Sequence, residues 1–186
     1  MTPVYFDTEF TGLHKNTKLI SIGMVAENGD SFYGEFSDFE DGFVNSSDRA
    51  FFEKFVSPYL ELQKAEHNKL SSVSYGKSFC ELYGDNATIA KEVSKWLLQV
   101  SAGDKVRMWG DNLAYDWVLF CDLWGHALSL PKHIHYIPMD LSDLFYSHGI
   151  DPDINRTEFA GVVLNIDKHH ALHDAMVIKK CVELLI

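Results

Sequence analysis

Glu27-Asn28-Gly29-Asp30 separates two runs of strand-forming residues, 19–26 (LISIGMVA) and 31–36 (SFYGEF). Asn-Gly between such runs is a strong hairpin signal, because both central residues of a type I′ turn need φ > 0. The two runs therefore read as antiparallel neighbours. An earlier apolar run at 4–7 (VYFD) makes a third strand, so three strands open the chain.

After residue 36 the apolar period changes from two to that of a helix. Phe51, Phe52, Phe55, Val56 and Leu60 predict a helix over 46–63, with Ser46 or Ser47 as its N-cap. Residues 64–85, polar and holding Ser71, Ser72, Ser74, Gly76 and Gly84, read as a long surface loop of the kind that often carries function. Ile89, Val93, Trp96 and Leu97 share one face of a second helix over 88–100. Residues 105–109 read as a strand, 113–125 as a helix ending at Gly125, and 135–138 as a short strand. Helices over 141–148, 156–163 and 171–186 complete the chain. Three strands followed by alternating helices and strands imply an α/β fold with a mixed sheet covered by helices.

A length of 186 residues with 46% hydrophobic content suits one domain, 1–186, with a single sizeable core. No apolar run approaches the roughly 20 residues that span a bilayer, and the opening MTPVYFDTEF lacks the basic and apolar regions of a signal peptide. Cys80, Cys121 and Cys181 are odd in number and far apart, so they draw no disulfide framework and no CxxC knuckle. The expectation is a cytoplasmic protein with no membrane partner. A formal net charge of −11 argues against a broad basic footprint on a phosphate backbone, so any nucleic-acid role must rest on a local site.

Asp7-Thr8-Glu9 closes the first strand, and period-2 alternation puts Asp7 and Glu9 on one face. Two adjacent carboxylates repel unless a cation sits between them, and hard divalent ions such as Mg²⁺ take such oxygen ligands. Asp38/Glu40 and Asp151/Asp153 share the spacing, but they lie in polar segments, whereas Asp7 and Glu9 end an apolar strand and run into Phe10-Thr11-Gly12-Leu13. Asp116 follows the 105–109 strand on entering a helix, where it projects toward the strand ends; Asp111 precedes the helix and reads as a cap or loop residue. His169 lies just outside the last helix and Asp174 in its first turns. His135/Asp140 and His148/Asp153 have the same spacing, yet each pair spans a proline. A zinc site on His169 and His173 lacks the HExxH glutamate and any cysteine pair to complete it.

Taken in order, DTEFTGL, WGDNLAYD and HHALHD resemble the three motifs of the DEDDh branch of the DnaQ-like 3′-to-5′ exonucleases. The run MWGDNLAYDWVLFCDLWG with HHALHDA is most similar to the compact bacterial and phage 3′-to-5′ exoribonucleases. A sister branch has tyrosine four residues before the last aspartate, where this chain has His170; the family spacing assigns the acting histidine to His169. The resemblance implies a ribonuclease H-like mixed five-stranded sheet, three antiparallel strands then parallel strands, flanked by helices. It implies two Mg²⁺ or Mn²⁺ ions per site on Asp7, Glu9, Asp116 and Asp174, with His169 as general base. It also places Thr8, Phe10, Thr11 and Leu13 around the terminal nucleotide, while Trp109, Trp117 and Trp124 read as core. The substrate it implies is a single-stranded 3′ end, RNA favoured, and family members are often homodimers in which one subunit helps bind the other's substrate. A DNA exonuclease would use the same five residues. A catalytically silent binding module would lack one of them, and all five positions are filled.

Overall fold

The computed structural model describes residues 1–65, 69–74, 77–162 and 169–186. In chain order the elements are β1 (Thr2–Phe10), β2 (Leu19–Ala26), β3 (Ser31–Phe36), α1 (Ser46–Phe51), α2 (Leu62–Ala65), β4 (Lys69–Ser74) and β5 (Lys77–Gly84). There follow α3 (Asn86–Ser101), β6 (Val106–Gly110), α4 (Asp116–Asp122), β7 (Met139–Asp140), α5 (Leu141–Ser147), α6 (Arg156–Ala160) and α7 (Ala171–Leu185). The strands form one mixed sheet in the order β4-β5-β3-β2-β1-β6-β7. β1, β2 and β3 are successive antiparallel neighbours, and β6 and β7 continue parallel to β1. Three antiparallel strands followed by parallel ones is the expected arrangement, and helices cover both faces.

The sheet has seven strands among the described residues, not five. The difference lies in 64–85, read from its serines as a loop. There β4 and β5 form an antiparallel pair, and β5 runs parallel to β3 from Ser31↔Phe79 to Phe36↔Gly84. Serine has no steric objection to a strand, and β3 would otherwise expose a bare row of backbone donors and acceptors. The short strand expected at 135–138 is displaced: Val106 bridges Ile134, and ladder pairing resumes at Met139–Asp140, beyond Pro138, which has no N–H to donate.

The helix expected over 46–63 is broken. Asn45, not Ser46 or Ser47, caps α1 by accepting the Asp48 N–H at 2.9 Å. The chain then widens into a π turn at Phe52–Val56 and tightens into a 3₁₀ turn at Ser57–Tyr59, where Pro58 ends the helical ladder. The first hairpin forms as expected but with a different turn. Gly29 alone takes a positive φ, +88°, and Asn28 uses its side chain to accept the Asp30 N–H at 2.9 Å. This is a three-residue loop with glycine at the left-handed position. The 156–163 helix ends at Ala160, with Gly161 at φ +62°; residue 163 lies outside the described residues.

Alternation along β1 divides the core. Val4 and Phe6 face α3 and α4, packing with Ile22, Met24, Phe32, Ile89, Leu97 and Phe120. Tyr5 faces the other layer with Val25, Trp109, Phe145, Ile178 and Val182, under α5, α6 and α7. Trp117 and Trp124 pack against the first cluster, so all three tryptophans named in the sequence belong to the core. Among the described residues no helix is long and apolar enough to cross a membrane.

Candidate active site

Asp7 and Glu9 continue the Tyr5 face of β1, so both carboxylates leave the sheet on the α7 side. A register shift between Glu9 and Phe10 ends regular pairing immediately after them. Asp174 comes from the first turn of α7. What brings it there is Gly23, the residue paired with Asp7 across the β1–β2 ladder. A Cβ at Gly23 would sit 2.1 Å from the backbone nitrogen of Leu172, so only glycine lets the start of α7 lie this close to the sheet. Ligand atoms of Asp7, Glu9 and Asp174 consequently lie within 4.8 Å of one another.

Crowding and burial decide the electrostatics. Burial pushes Glu9 up to about 8, with the charges of Asp174 and Asp116 adding to it. Asp7 is raised well above the usual carboxylate range by burial first, then by Asp116, Asp174, Glu9 and Asp111. Burial also raises Asp116, against the hydrogen bonds of Thr8, which lower it. An all-oxygen cluster that resists carrying its own negative charge fits a hard divalent cation, whose arrival removes the repulsion.

Asp116 stands beside this trio rather than inside it. Its Oδ1 accepts the Thr8 hydroxyl at 2.5 Å and the Thr8 N–H at 3.2 Å. Thr8 points to the α4 side of the sheet, so β1 fixes Asp116 from one face while presenting Asp7 and Glu9 from the other. Asp111 is occupied elsewhere: Arg156 grips it through Nε at 2.7 Å and Nη2 at 2.9 Å, and the Ser142 hydroxyl donates to it at 2.9 Å. Asp140 accepts the N–H groups of Asn112 and Leu113, which completes the hold on the loop leading to Asp116.

His169 lies at the edge of the carboxylates, with its ring Nδ1 4.0 Å from Glu9 Oε1 and its backbone N–H donated to Asp174 Oδ2 at 3.2 Å. Its φ of +74° is unusual for a residue with a side chain. Phe51 and Phe55 pack on the imidazole with ring centroids 5.3 and 5.9 Å away. His170 turns inward instead, stacked between Tyr33 at 4.5 Å and His173 at 4.1 Å, and burial followed by His173 drives it down to about 4. With His173 in that stack, the two histidines at i, i+4 join no ligand cluster; Asp7, Glu9 and Asp174 form the one such cluster among the described residues.

Two cavities meet at His169. One, about 290 Å³, is lined by Asp7, Asp174, His169, Asp111, Arg156 and Thr157. The other, about 460 Å³ and largely apolar, is lined by Glu9, Phe10, Thr11, Leu13, Phe51 and His169. Leu13 is 75% exposed at its rim. Phe10 stacks on Tyr115 at 5.5 Å. Thr11 is buried, its hydroxyl accepting the Lys18 N–H at 3.0 Å, so it shapes the loop and offers the groove its backbone. Sequence reasoning missed Gly23, Arg156, Phe51 and Phe55 as parts of this region. Glycine in mid-strand was an available signal for Gly23; nothing local marks the other three.

A family model described as the Rv2179c-like 3′-5′ exoribonuclease domain matches residues 2–186. The 3′-5′ exoribonuclease Rv2179c of Mycobacterium tuberculosis (strain ATCC 25618 / H37Rv) is 26% identical over 145 residues, 78% of this chain and 74% of that protein. The 3′-5′ exoribonuclease MT2234.1 of Mycobacterium tuberculosis (strain CDC 1551 / Oshkosh) matches at the same 26% over 145 residues. A solved structure of the Neurospora crassa Pan2 catalytic unit, protease and nuclease domain, aligns with a TM-score of 0.48 and 16% identity, covering 98% of this chain. This chain spans 26% of that one.

Proposed function

Because this chain belongs to the Rv2179c-like 3′-5′ exoribonuclease domain family, we propose that it hydrolyses single-stranded RNA from the 3′ end, releasing nucleoside 5′-monophosphates. The observation that carries this reading is the convergence of Asp7, Glu9 and Asp174 within 4.8 Å, with His169 at their edge and a groove leading away.

Asp7, Glu9 and Asp174 would hold Mg²⁺ or Mn²⁺, two ions in the full reading, with Asp116 supporting the second. Bound there, such ions neutralise phosphoryl oxygens and bring the pKa of a water toward neutrality. Thr8 keeps Asp116 in a single orientation through its two hydrogen bonds. His169 serves as general base: with Nδ1 turned to Glu9, Nε2 takes the proton of the attacking water. Phe10, Leu13 and the backbone from Thr8 to Thr11 form the wall against which the last nucleotide rests, its base in the apolar groove.

The test is a time course on matched 5′-labelled RNA and DNA oligomers with Mg²⁺ or Mn²⁺, run beside Asp7→Asn. Stepwise shortening of RNA from its 3′ end, absent in the variant, is the expected result. Faster decay of the DNA would make this a DNA exonuclease with the same site. Inactivity on both would leave a binding module.

A further inference from the structure

Glu35, on β3, is fully buried at 0% exposure, and the hydrolytic site does not use it. Burying a carboxylate costs several kcal/mol unless donors surround it. Here Oε1 accepts the N–H groups of Glu61 and Leu62 at 2.8 and 3.2 Å, and Oε2 that of Gln63 at 3.0 Å. The Tyr33 hydroxyl donates to Oε1 at 3.1 Å. The three backbone donors are those at the start of α2, which have no partner within their own helix. Glu35 therefore does two things at once. It ties the segment ending in α2 to the sheet, and it fixes the Tyr33 ring.

Both ties lead to His169. The segment bound at residues 61–63 is the one that, six and ten residues before Glu61, supplies Phe55 and Phe51, whose rings pack on the imidazole. The Tyr33 ring stacks on His170, the next residue after His169. His169 holds a left-handed backbone at φ +74°, a conformation that a non-glycine residue keeps only when its surroundings impose it. We infer that Glu35 is a positioning residue that holds His169 in place from both sides, through the Phe51/Phe55 wall and through the Tyr33–His170 stack. This rests on the reading of His169 as general base.

The test is a double-mutant cycle on the full chain, with turnover of single-stranded RNA and Mn²⁺ affinity measured for the parent, Glu35→Gln, His169→Ala and the double variant. Glutamine keeps one acceptor oxygen and turns an NH₂ toward the Gln63 N–H, so one bond is lost. The expected result is a loss of about tenfold in kcat for Glu35→Gln in the parent background, under about twofold in the His169→Ala background, and unchanged Mn²⁺ affinity. Tyr33→Phe, which keeps the stack and removes one hydrogen bond, should show a smaller loss with the same dependence on His169. It carries the test if Glu35→Gln does not fold. Equal fractional losses in both backgrounds, or a parallel fall in Mn²⁺ affinity, would make Glu35 a residue that merely supports the fold. Undiminished turnover in Glu35→Gln beside a crippled His169→Ala would remove this inference alone; undiminished turnover in His169→Ala would remove the general base and this inference with it.

Discussion

Glu9 has its ordinary value of 4.5 raised to about 8 in the folded chain, so the native state holds a proton that the unfolded state releases. The linkage sign follows: the stability contributed by protonated Glu9 is complete below about 4.5 and is lost as pH rises through about 8. In EDTA, the stability difference between the parent and Glu9→Gln should therefore turn against the parent over that window. Thermal melts at several pH values check it, and added Mg²⁺ should abolish the trend. A difference that moves in the parent's favour as pH rises would mean that Glu9 is not crowded as described. For the same reason Asp7→Ala and Asp174→Ala should each abolish hydrolysis while leaving the metal-free fold as stable as the parent or more so; Asp116→Ala should abolish hydrolysis too, but it leaves the hydroxyl and N–H of buried Thr8 without their acceptor and should lower stability. Near-parent turnover under saturating Mg²⁺ would remove that residue from the site. His169→Ala should lower turnover by about 10² to 10⁴, the share of a general base, with metal binding retained. His170→Ala removes the stack on Tyr33 and His173, so it should reduce stability and lower turnover only about as much as Glu35→Gln does; a larger loss in His170→Ala than in His169→Ala would shift the third motif by one residue.

Between elements, the closest constraint is the seat of α7 on β2. Gly23→Ala deletes no ligand, yet its methyl group would meet the backbone at Ala171 and Leu172, so the first turn of α7 must move. Overpacking of this kind costs about 1–3 kcal/mol, and displacing Asp174 from Asp7 should weaken metal binding as well. Isothermal titration with Mn²⁺ would show the loss directly. Parent affinity in Gly23→Ala would mean that Asp174 reaches the cluster without the close approach. The π turn at Phe52–Val56 belongs to the same scale, since it begins directly after Phe51 and contains Phe55, the two rings that meet His169. Such insertions are frequent at functional sites.

Across the whole molecule, a net charge of −11 sets how RNA can bind. An acidic surface repels a polynucleotide except where metal ions and a few cations reverse the local sign, so the footprint should be short and the enzyme distributive. For single strands, log K falls with log salt at about −0.7 per phosphate neutralised, which gives a slope near −2 for two or three contacts. A catalytically dead variant at fixed Mg²⁺, titrated with fluorescent single-stranded RNA across monovalent salt, measures it. A slope steeper than about −5, or decay of long RNA without intermediates, would reveal an extended basic track.

Hairpin, helices and the carboxylate spacing were legible in the sequence because they are local. Asn28-Gly29 specified a turn, the apolar period located α3 and α7, and alternation alone placed Asp7 and Glu9 on one face. The β4–β5 pair was not legible, since a strand at the sheet edge needs no apolar alternation and serines imitate a loop. Nor was the break in the 46–63 helix, where apolar spacing runs unbroken through a change of winding. At the site, motif spacing singled out Asp7, Glu9, Asp116, His169 and Asp174, but local pattern could not show what holds them. The seating of Asp174 against Asp7 depends on a glycine about 150 residues away from it. The different surroundings of His169 and His170, adjacent and chemically identical, come from Phe51, Phe55, Tyr33 and His173. Covalent neighbours and short-range period determine which residues can form an element. Which side chains become crowded, buried or exposed depends on contacts between residues far apart in the chain, and only the packed tertiary structure decides those.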